Sequence, residues 1–345
     1  MAVTVRDIAR IAGVSISTVS RALSSPEMVN AATRAKVQET ARKLGYTPNL
    51  NARNLISGRS GAIGLVVPDL ENPFFGSMAK GVQARARAAG YAVFIADTDE
   101  DASVENEIIR GLSRQVDGVI VCSARGTDAS IQELSRDMPL VLVNRRVQEV
   151  SSITFDHAES FRSVMGHLMA LGHRKIAYAG GPQTSWSNLQ RVQAFAAAGK
   201  KFPELKLAEL GNFQPVFTGG IAAGDLAIAS GATAVVAFND LVAVGLMDRL
   251  RQRGLNVPGD ISVTGFDNVP VSTLVWPTLT TVDFPRVQMG RTSVDALLEA
   301  LRGTPRKTDC HEIPFELVVR ESTGVAKPGS MEASPSSTTA SAIGG

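Results

Sequence analysis

The sequence predicts a small all-α head followed by an α/β body of two doubly wound lobes. Two observations support this fold class. In the first 60 residues, amphipathic helical patterns are separated by Gly13 and Gly45. From Ala62 onward, short apolar runs rich in β-branched residues alternate with helical stretches, in two successive series. The 345 residues, 44% of them apolar, are enough for two or three domains with a substantial core.

Charge is distributed unevenly between the head and the body. Residues 1–60 carry nine Lys and Arg against three Asp and Glu, a net charge of +6, whereas the rest of the chain has a net charge of −4. A basic head on a mildly acidic body is typical of a nucleic-acid-binding module joined to a second function. On charge alone, chance clustering on a solvated face is the alternative.

Composition and motifs argue against several classes of protein. No apolar run reaches the roughly 18 residues that a membrane span needs, and the start lacks a secretory signal pattern, so we expect a cytoplasmic protein with no membrane partner. Cys122 and Cys310 cannot form a disulfide framework, which suits a reducing compartment. The four histidines lack metal-ligand spacing, and the common nucleotide-loop, serine-hydrolase and zinc-protease motifs are missing. We therefore predict no metal, no cofactor and no enzyme.

The head has the pattern of a helix-turn-helix. Thr4 is a suitable N-cap for a first helix, and Gly13 ends that helix where a positive φ is needed. Ser15 can cap a second helix, and a third is predicted from about Ala31 to Leu44, closed by Gly45. The residues that the first two helices are predicted to bury are Ile8, Ala9, Ile11, Ala12, Val19, Ala22 and Leu23. This order of elements is typical of the DNA-binding motif, although a plain three-helix bundle has the same pattern.

The outer face of the second helix carries the main predicted DNA contacts. Arg21 can reach the O6 and N7 atoms of a guanine, Ser17 can bond to a base edge or phosphate, and Ile16 can touch a thymine methyl. Thr18 and the helix N-terminus are placed for phosphate. The full predicted DNA-binding set is Thr4, Ser15, Ile16, Ser17, Thr18, Arg21, Asn49, Ala52 and Leu55.

A hinge helix is predicted within residues 47–60. Asn49 can cap a helix of about two turns, which is marginal alone in water and is expected to form only when docked on DNA and on a symmetry mate. Ala52 is small enough for two such helices to approach closely, and Leu55 is placed to wedge between base pairs in a minor groove. An ordinary linker is the alternative.

The body predicts two lobes with a cleft between them. The strands of the first series are predicted at Ala62–Pro68, Tyr91–Ala96, Gly118–Cys122, Leu140–Val143 and Ile153–Phe155. Those of the second series are predicted at Ile176–Ala179, Ala208–Gly211, Val235–Phe238 and Ile261–Thr264. Parallel strands joined by helices bind ligands on the loops at their carboxyl ends, so the sequence predicts a ligand site in the cleft.

Polar and aromatic side chains follow the predicted strand ends of both lobes. Asn, Asp and Arg side chains pair well with vicinal hydroxyls, and Phe74 and Phe75 can stack on the apolar face of a sugar ring. Each polar residue alone could be a cap or a turn former. The other residues singled out at these ends are Asn72, Asn144, Arg145, Asp156, Arg191, Asn239 and Asp267. Trp186, which precedes Arg191, either roofs the cleft or lies in a surface loop.

Several motifs in fixed order resemble the LacI family of bacterial transcriptional regulators. They include "TVRDIARIAGVSISTVSRAL", "LGYTPNLNARNL", "GAIGLVVPDLENPFF", "FNDLVAVG" and "VPGDISVTGFDN", and the resemblance covers about residues 3–323. It implies a periplasmic-binding-protein-like core in which the chain crosses between lobes three times, near Asp156–Ser160, Thr281–Arg286 and Lys307–Ile313. It also implies a dimer on a pseudo-palindromic operator, with Ile16, Ser17 and Arg21 reading bases and Leu55 as the hinge wedge.

The resemblance also implies positions that contact a small effector. These positions are Asn72, Phe74, Asp156, Arg191, Asn239 and Asp267. The set is also similar to that of ribose-binding proteins of the same fold. In this chain the positions that match that set are occupied by Phe75, Asn144, Arg145 and Asp283, and Asp283 stands where the ribose-type pattern has Gln. Either Phe213 or Phe217 is expected to stack on the ligand, and we select Phe217. The expected effector is a pentose, a related sugar or a nucleoside.

The predicted organisation is a helix-turn-helix domain at 1–46, a hinge and linker at 47–60, an effector-binding and dimerisation domain at 61–324 and a disordered tail at 325–345. The first lobe is expected at about 61–157 and 286–309, and the second at about 160–282 and 311–324. Because the tail has no leucine heptads, we predict a homodimer.

The favoured interpretation is an effector-controlled regulator that acts as a repressor. Whether the effector releases the protein from DNA or promotes binding stays open, because the same linkage can work in either direction. A global regulator controlled by a protein partner is an alternative within this class. A sugar-binding transport protein and a sugar-processing enzyme are alternatives from other classes.

Overall fold

The computed structural model describes residues 3–24, 26–46, 59–303 and 310–327. It divides into two compact units, Met1–Ser60 and Gly61–Gly345. Three residues predicted to contact DNA, Asn49, Ala52 and Leu55, lie outside the described residues, as does the tail from residue 328.

In its described residues, the head has three α-helices around a small apolar core. These are α1 (Val5–Ala12), α2 (Ile16–Ser24) and α3 (Ala31–Lys43), with a 3-10 turn at Pro26–Met28 before α3. The core contains Ile8, Ala9, Ala12, Val19, Ala22, Val37 and Ala41. The prediction for Ile11 is wrong, because its side chain is 55% exposed. At roughly 100° per residue, Ile11 lies well to one side of the stripe formed by Ile8, Ala9 and Ala12.

Local signals end α1 and begin α3 where the sequence predicts. Gly13 follows α1 with φ at +65°, and Asn30 caps α3 by accepting hydrogen bonds from the amides of Ala32 and Thr33 at 2.8 and 3.3 Å. The left-handed conformation at Gly13 has no steric cost for glycine, so α1 can stop there and the chain can turn into α2.

From Gly61 onward strands and helices alternate. The strands are β1 Ala62–Val67, β2 Ala92–Asp97, β3 Gly118–Cys122, β4 Leu140–Val143, β5 Ser151–Thr154, β6 Lys175–Gly180, β7 Lys206–Asn212, β8 Ala234–Ala237, β9 Ser262–Phe266, β10 Thr280–Asp283, β11 Cys310–Glu312 and β12 Glu316–Val318. The helices are α4 Pro73–Ala88, α5 Ala102–Leu112, α6 Asp128–Asp137, α7 His157–Ala170, α8 Trp186–Lys201, α9 Phe217–Ala229, α10 Asp240–Gln252, α11 Val271–Leu274 and α12 Arg286–Leu301. This alternation confirms the predicted α/β body.

The strands of the described part of the chain form two sheets of six. The first has the order β11-β5-β4-β3-β1-β2 and the second the order β12-β10-β9-β8-β6-β7. All pairs are parallel except β10 with β12, which are antiparallel. The sequence does not indicate β10, β11 or β12, because these short segments include polar or charged residues and do not form a continuous apolar run.

The chain passes between the lobes three times, after β5, after β10 and after β11. Because Cys310–Glu312 pairs with β5 of the first sheet, the third crossing falls between β11 and β12. The crossing predicted at 307–313 therefore lies earlier in the chain than the observed one. The second-lobe segment predicted to start at residue 311 starts inside β11, which belongs to the first sheet. Phe155 of the first crossing stacks on Phe284 of the second, with ring centroids 3.6 Å apart and planes inclined by 22°. The stacked rings tie two of the three connections together.

Within the described ranges, no helix combines the length and the apolar character that crossing a membrane requires. The same residues contain no group of three or more His, Cys, Asp or Glu side chains placed to hold a metal ion.

Candidate effector cleft and DNA-binding surface

Helix α2 separates a buried face from an exposed one. Val19 and Ala22 are buried in the head core, whereas Ile16, Ser17 and Arg21 are exposed. The exposed side chains are two polar groups and one apolar group, all on a helix short enough to enter a major groove. The structure therefore brings the predicted base-reading side chains to one accessible surface.

Three hydroxyl groups surround the N-terminus of α2. Ser15 Oγ accepts a hydrogen bond from the Thr18 amide at 3.1 Å and lies 2.8 Å from both Ser17 Oγ and Thr18 Oγ1. The N-terminus of a helix attracts anions because its first amides lack partners within the helix. In α1 the corresponding hydroxyl of Thr4 donates to the Asp7 carboxylate at 2.7 Å. Thr4 is thus engaged within its own helix.

A cleft lies between the carboxyl ends of the strands of the two sheets. It encloses a cavity of about 30 Å³, and its lining residues are Asn72, Phe74, Phe75, Glu100, Ser123, Arg125, Asn144, Ser187, Arg191, Pro215, Phe238, Asn239 and Asp267. Apart from Ser187 and Arg191 of α8, these residues follow strand ends or begin the helices after them. Seven of the predicted effector residues are therefore brought together: Asn72, Phe74, Phe75, Asn144, Arg191, Asn239 and Asp267.

Arg191 occupies the second-lobe wall of the cleft and is 3% exposed. Its guanidinium carbon lies 3.8 Å from the ring centroid of Phe266 and 5.2 Å from that of Phe238. Nη1 donates to the Phe238 carbonyl at 2.5 Å, whereas Nε has no hydrogen-bond partner among the described residues. Burial lowers the pKa of Arg191. The aromatic rings hold this cation in place and leave one donor unused.

Two aspartates interact electrostatically with Arg191: Asp267, which lines the cavity, and Asp240, which does not. Asp240 is buried and accepts hydrogen bonds from Thr281 Oγ1 at 2.5 Å and from the Val269 amide at 2.8 Å. Burial raises the pKa of Asp240, and the neighbouring Asp267 raises it further. Burial also raises the pKa of Asp267 to about 6, although the charges of Arg191 and Arg286 oppose this increase. The backbone of Asp267 has φ at +101°, a costly conformation for a non-glycine residue.

Asparagines provide polar groups on both walls. Asn72 caps α4 by accepting from the Phe74 amide at 3.0 Å, and Asn239 caps α10 by accepting from the Val242 amide at 2.9 Å. Asn144 has φ at +58° and donates from Nδ2 to Ser123 Oγ at 2.8 Å, while its buried Oδ1 has no partner among the described residues. Capping thus fixes the side chains of Asn72 and Asn239, whereas the side chain of Asn144 keeps an oxygen that can accept a hydrogen bond from another group.

Two charged residues of the first-lobe wall were missed by sequence reasoning. Arg125 is 6% exposed, and it donates from Nη1 to the Ser123 carbonyl at 2.6 Å and from Nη2 to Glu100 Oε1 at 2.9 Å. Its Nε donates to the second oxygen of Glu100. Glu100 and Arg125 each come three residues after a strand, β2 and β3. The rule that ligands bind at the carboxyl ends of parallel strands, applied to β2 and β3 as well, would have found both charged residues.

Five predicted effector residues do not line this cavity. Arg145 binds Asp128 at 2.6 Å, and Asp156 caps α7 by accepting from the Glu159 amide at 2.8 Å. The Trp186 ring packs edge-on against His157 with centroids 5.1 Å apart. The other two are Phe217, which is 43% exposed and lines a different depression of the second lobe, and Asp283, whose Oδ1 is 3.8 Å from Arg286 Nη1. The alternative aromatic, Phe213, packs against the apolar core of the second lobe.

These placements have a common physical reason. A strand end locates a residue along the chain but does not decide the direction of its side chain. At Asn144, where φ is +58°, the chain bends out of the strand, and Asn144 lines the cavity while Arg145 turns toward Asp128 at the start of α6.

Comparisons with known proteins agree with this fold. Residues 4–49 match the bacterial regulatory proteins of the lacI family, and residues 165–323 match a periplasmic binding protein-like domain. The chain is 32% identical over 333 residues to the HTH-type transcriptional regulator DegA of Bacillus subtilis, covering 94% of this chain and 98% of that one. The chain belongs to the LacI family. It is accordingly a DNA-binding transcriptional regulator.

Solved structures support the family assignment over nearly the whole chain. The lac repressor dimer bound to operator and the anti-inducer ONPF has a TM-score of 0.83 at 28% identity, covering 94% of this chain and 100% of that one. A LacI family regulator from Enterococcus faecium with bound ribose has a TM-score of 0.68 at 28% identity, covering 77% of this chain and 100% of that one. These likenesses confirm the predicted helix-turn-helix head and two-lobed core.

Proposed function

We propose that this LacI-family protein is a homodimeric repressor whose operator affinity is controlled by a neutral pentose, related sugar or nucleoside bound between the lobes. The observation that carries the proposal is the polar lining of the interlobe cavity. Amide side chains of Asn72, Asn144 and Asn239 surround it together with aromatic rings, a combination suited to vicinal hydroxyls and one apolar ring face.

The charges of the lining favour a neutral ligand. Arg125 is paired with Glu100, and Arg191 lies near Asp267, so each wall contributes one cation and one carboxylate. A charged ligand would leave one of these groups without compensation in a buried site. Asn144 Oδ1 and Arg191 Nε supply an unused acceptor and an unused donor, which together match a hydroxyl group. The E. faecium relative with bound ribose supports the same ligand class.

The size of the cavity supports control through lobe movement. A cavity of about 30 Å³ has room for about two water molecules. A pentose is several times larger, so binding requires the lobes to separate or the lining side chains to move. We propose that this change alters the placement of the two heads in the dimer and so the operator affinity. The predicted hinge helix at 47–60 would transmit the movement of the lobes to the heads.

We propose that α2 reads the operator through Ile16, Ser17 and Arg21, with Ser15, Thr18 and Thr4 near phosphates and Asn49, Ala52 and Leu55 in the hinge. Operator sequences selected from a random DNA pool provide the test. With them, Arg21→Gln should weaken binding about 10- to 100-fold, because one bidentate guanine contact contributes about 1–3 kcal/mol. Arg42→Gln is the matched control, because Arg42 is an exposed arginine of α3 paired with Glu39. Equal losses in both variants, or none in Arg21→Gln, would contradict this role for α2.

The effector class is tested by thermal unfolding with a panel of pentoses, hexoses, nucleosides, purine bases and phosphosugars. A ligand that binds the folded state raises the melting temperature by mass action. We expect a neutral pentose, related sugar or nucleoside to give the largest increase. Stabilisation by a phosphosugar or a purine base alone would contradict the proposed ligand class.

A further inference from the structure

A second cavity, of about 340 Å³, lies in the second lobe between helices α7 and α8. The residues that line it include Met165, Gly166, Met169, Ala198 and Phe202. None of the residues that line it belongs to the interlobe cavity. The two cavities are separate sites, so the inference drawn from this one does not depend on the proposed function.

Small residues at the contact of the two helices create this space. On α7 the lining positions Met165, Gly166 and Met169 share one helical face, because they are spaced by one, three and four residues. A Cβ atom built on Gly166 would meet no heavy atom within 4 Å. Methionine side chains are flexible and polarizable, so the walls can adapt to ligands of different shape.

The charged side chains at the rim have one sign. Among the described residues that line the cavity, the charged ones are Arg162 and Lys201. Lys201 Nζ lies 5.2 Å from the ring centroid of Phe202, whereas Arg162 is paired with Glu159 at 2.6 Å. The cavity therefore has an apolar interior, and of the two cations that line it Lys201 is the one that Glu159 does not engage; no carboxylate is among its described lining residues.

We infer that this cavity binds a monomeric anionic amphiphile, a carboxylate with a medium-length alkyl chain or an apolar group of similar size. The alkyl chain would lie between the methionines and Phe202, where it leaves water, and the carboxylate would lie at Lys201. The volume of about 340 Å³ is within the range of small-ligand pockets, which are mostly apolar with a few placed polar groups.

Calorimetric titration of the full chain with sodium decanoate, kept below its micelle concentration, tests the inference. We expect saturable binding of one decanoate per chain. Gly166→Leu fills the cavity and should weaken binding at least 10-fold. Gly111→Leu is the matched control, because Gly111 is another exposed helical glycine whose added Cβ would meet open space, and its binding should stay within about 2-fold of the parent. Both leucines favour the helix, so the fold is retained.

The role of charge is tested in the same titration. Lys201→Gln should weaken decanoate binding at least 5-fold, whereas the adjacent and exposed Lys200→Gln should change it by less than 2-fold. Decyltrimethylammonium bromide, of equal chain length and opposite charge, should not bind saturably. Arg191→Met, at a residue that lines the interlobe cavity and not the second one, should leave decanoate binding unchanged even where it removes sugar binding.

Four results would each overturn the inference. They are the absence of saturable decanoate binding, equal binding of the cationic amphiphile, unchanged binding in Gly166→Leu, and binding to anionic vesicles with none to monomeric decanoate. Unfolding curves of each variant, measured without ligand, separate a lost site from a lost fold.

Discussion

The two walls of the interlobe cavity differ in how their polar groups are held. On the second-lobe wall, Arg191 lies buried against two aromatic rings near Asp240 and Asp267, and both acids have raised pKa values. On the first-lobe wall, Arg125 is closed off by Glu100, and Asn144 presents an acceptor without a partner. The cation of the second-lobe wall thus lies near acids but keeps one donor, Nε, without a hydrogen-bond partner among the described residues, whereas the cation of the first-lobe wall is held in a direct ion pair.

This difference indicates a division of roles in ligand binding. Uncompensated donors in a low-dielectric wall gain most from a ligand, because burial without a partner is costly. The second-lobe wall should therefore supply most of the affinity. The first-lobe wall, whose ion pair is complete, should mainly shape the cavity and select among similar ligands.

The largest expected effect is that of Arg191→Met on the binding of the sugar or nucleoside found by thermal unfolding. Affinity should fall by roughly 1000-fold, because removing one partner of a buried charged interaction costs about 2–5 kcal/mol. Methionine keeps the apolar contact with Phe266 but loses the hydrogen bond to the Phe238 carbonyl, so urea unfolding of the variant must show that it is folded at the titration temperature. Calorimetric titration gives the affinity. A loss of affinity below about 5-fold would contradict the prediction that the second-lobe wall is the main source of ligand affinity.

A second, smaller effect concerns the pH dependence of stability at Asp267. Because its pKa is raised from 3.8 to about 6, the folded protein holds this proton more tightly than the unfolded chain, and the stability contributed at low pH is lost as pH rises through about 6. Asp267→Asn removes this dependence. Its stability relative to the parent should therefore increase by about 2 kcal/mol between pH 4.5 and pH 7.5.

Urea unfolding at both pH values measures this difference. The control is Asp225→Asn, because Arg249 and Arg253 lower the pKa of the Asp225 carboxyl to about 2. Asp225 is ionised in the folded protein across the whole window, so its variant should show no comparable change with pH. A difference of equal size in both variants would argue against buried Asp267 as the cause.

The smallest expected effect is that of Asn144→Asp on the first-lobe wall. Aspartate has the same shape and tolerates the positive φ of this position, and Ser123 can donate to it in place of accepting from it. We expect ligand affinity to fall by about 3- to 10-fold and the preference among related sugars to change. Titrations with two epimeric pentoses measure both quantities. A loss as large as that of Arg191→Met would contradict the division of roles.

The sequence predicts the elements of the body well where a strand is long or strongly apolar. Gly118–Cys122 and Leu140–Val143 form strands with the predicted limits, because each is a buried apolar run between breaks. β11 and β12 are too short and too exposed to show such a pattern, and their pairing depends on contacts with distant strands. Tertiary contacts therefore decide these two strands.

The cleft could be located from sequence, but not every side chain that lines it. Asn72, Asn239 and Asp267 follow from the rule that ligands bind at the carboxyl ends of strands, and the structure places all three on the cavity. Arg145 and Asp156 satisfy the same rule and yet bind Asp128 and the backbone of α7. The direction of a side chain depends on packing partners that are distant in sequence, and so do the positions of Glu100 and Arg125.

The release of operator DNA by the ligand tests most directly whether the interlobe cavity controls the head. The operator complex of the parent and of Arg191→Met would be titrated with the sugar or nucleoside found by thermal unfolding, with fluorescence anisotropy of labelled DNA as the readout. We predict that the ligand changes operator affinity of the parent at least 10-fold and leaves that of Arg191→Met unchanged, although both proteins bind DNA equally without ligand. An equal response of both proteins, or none in the parent when the ligand is bound, would contradict control through this cavity.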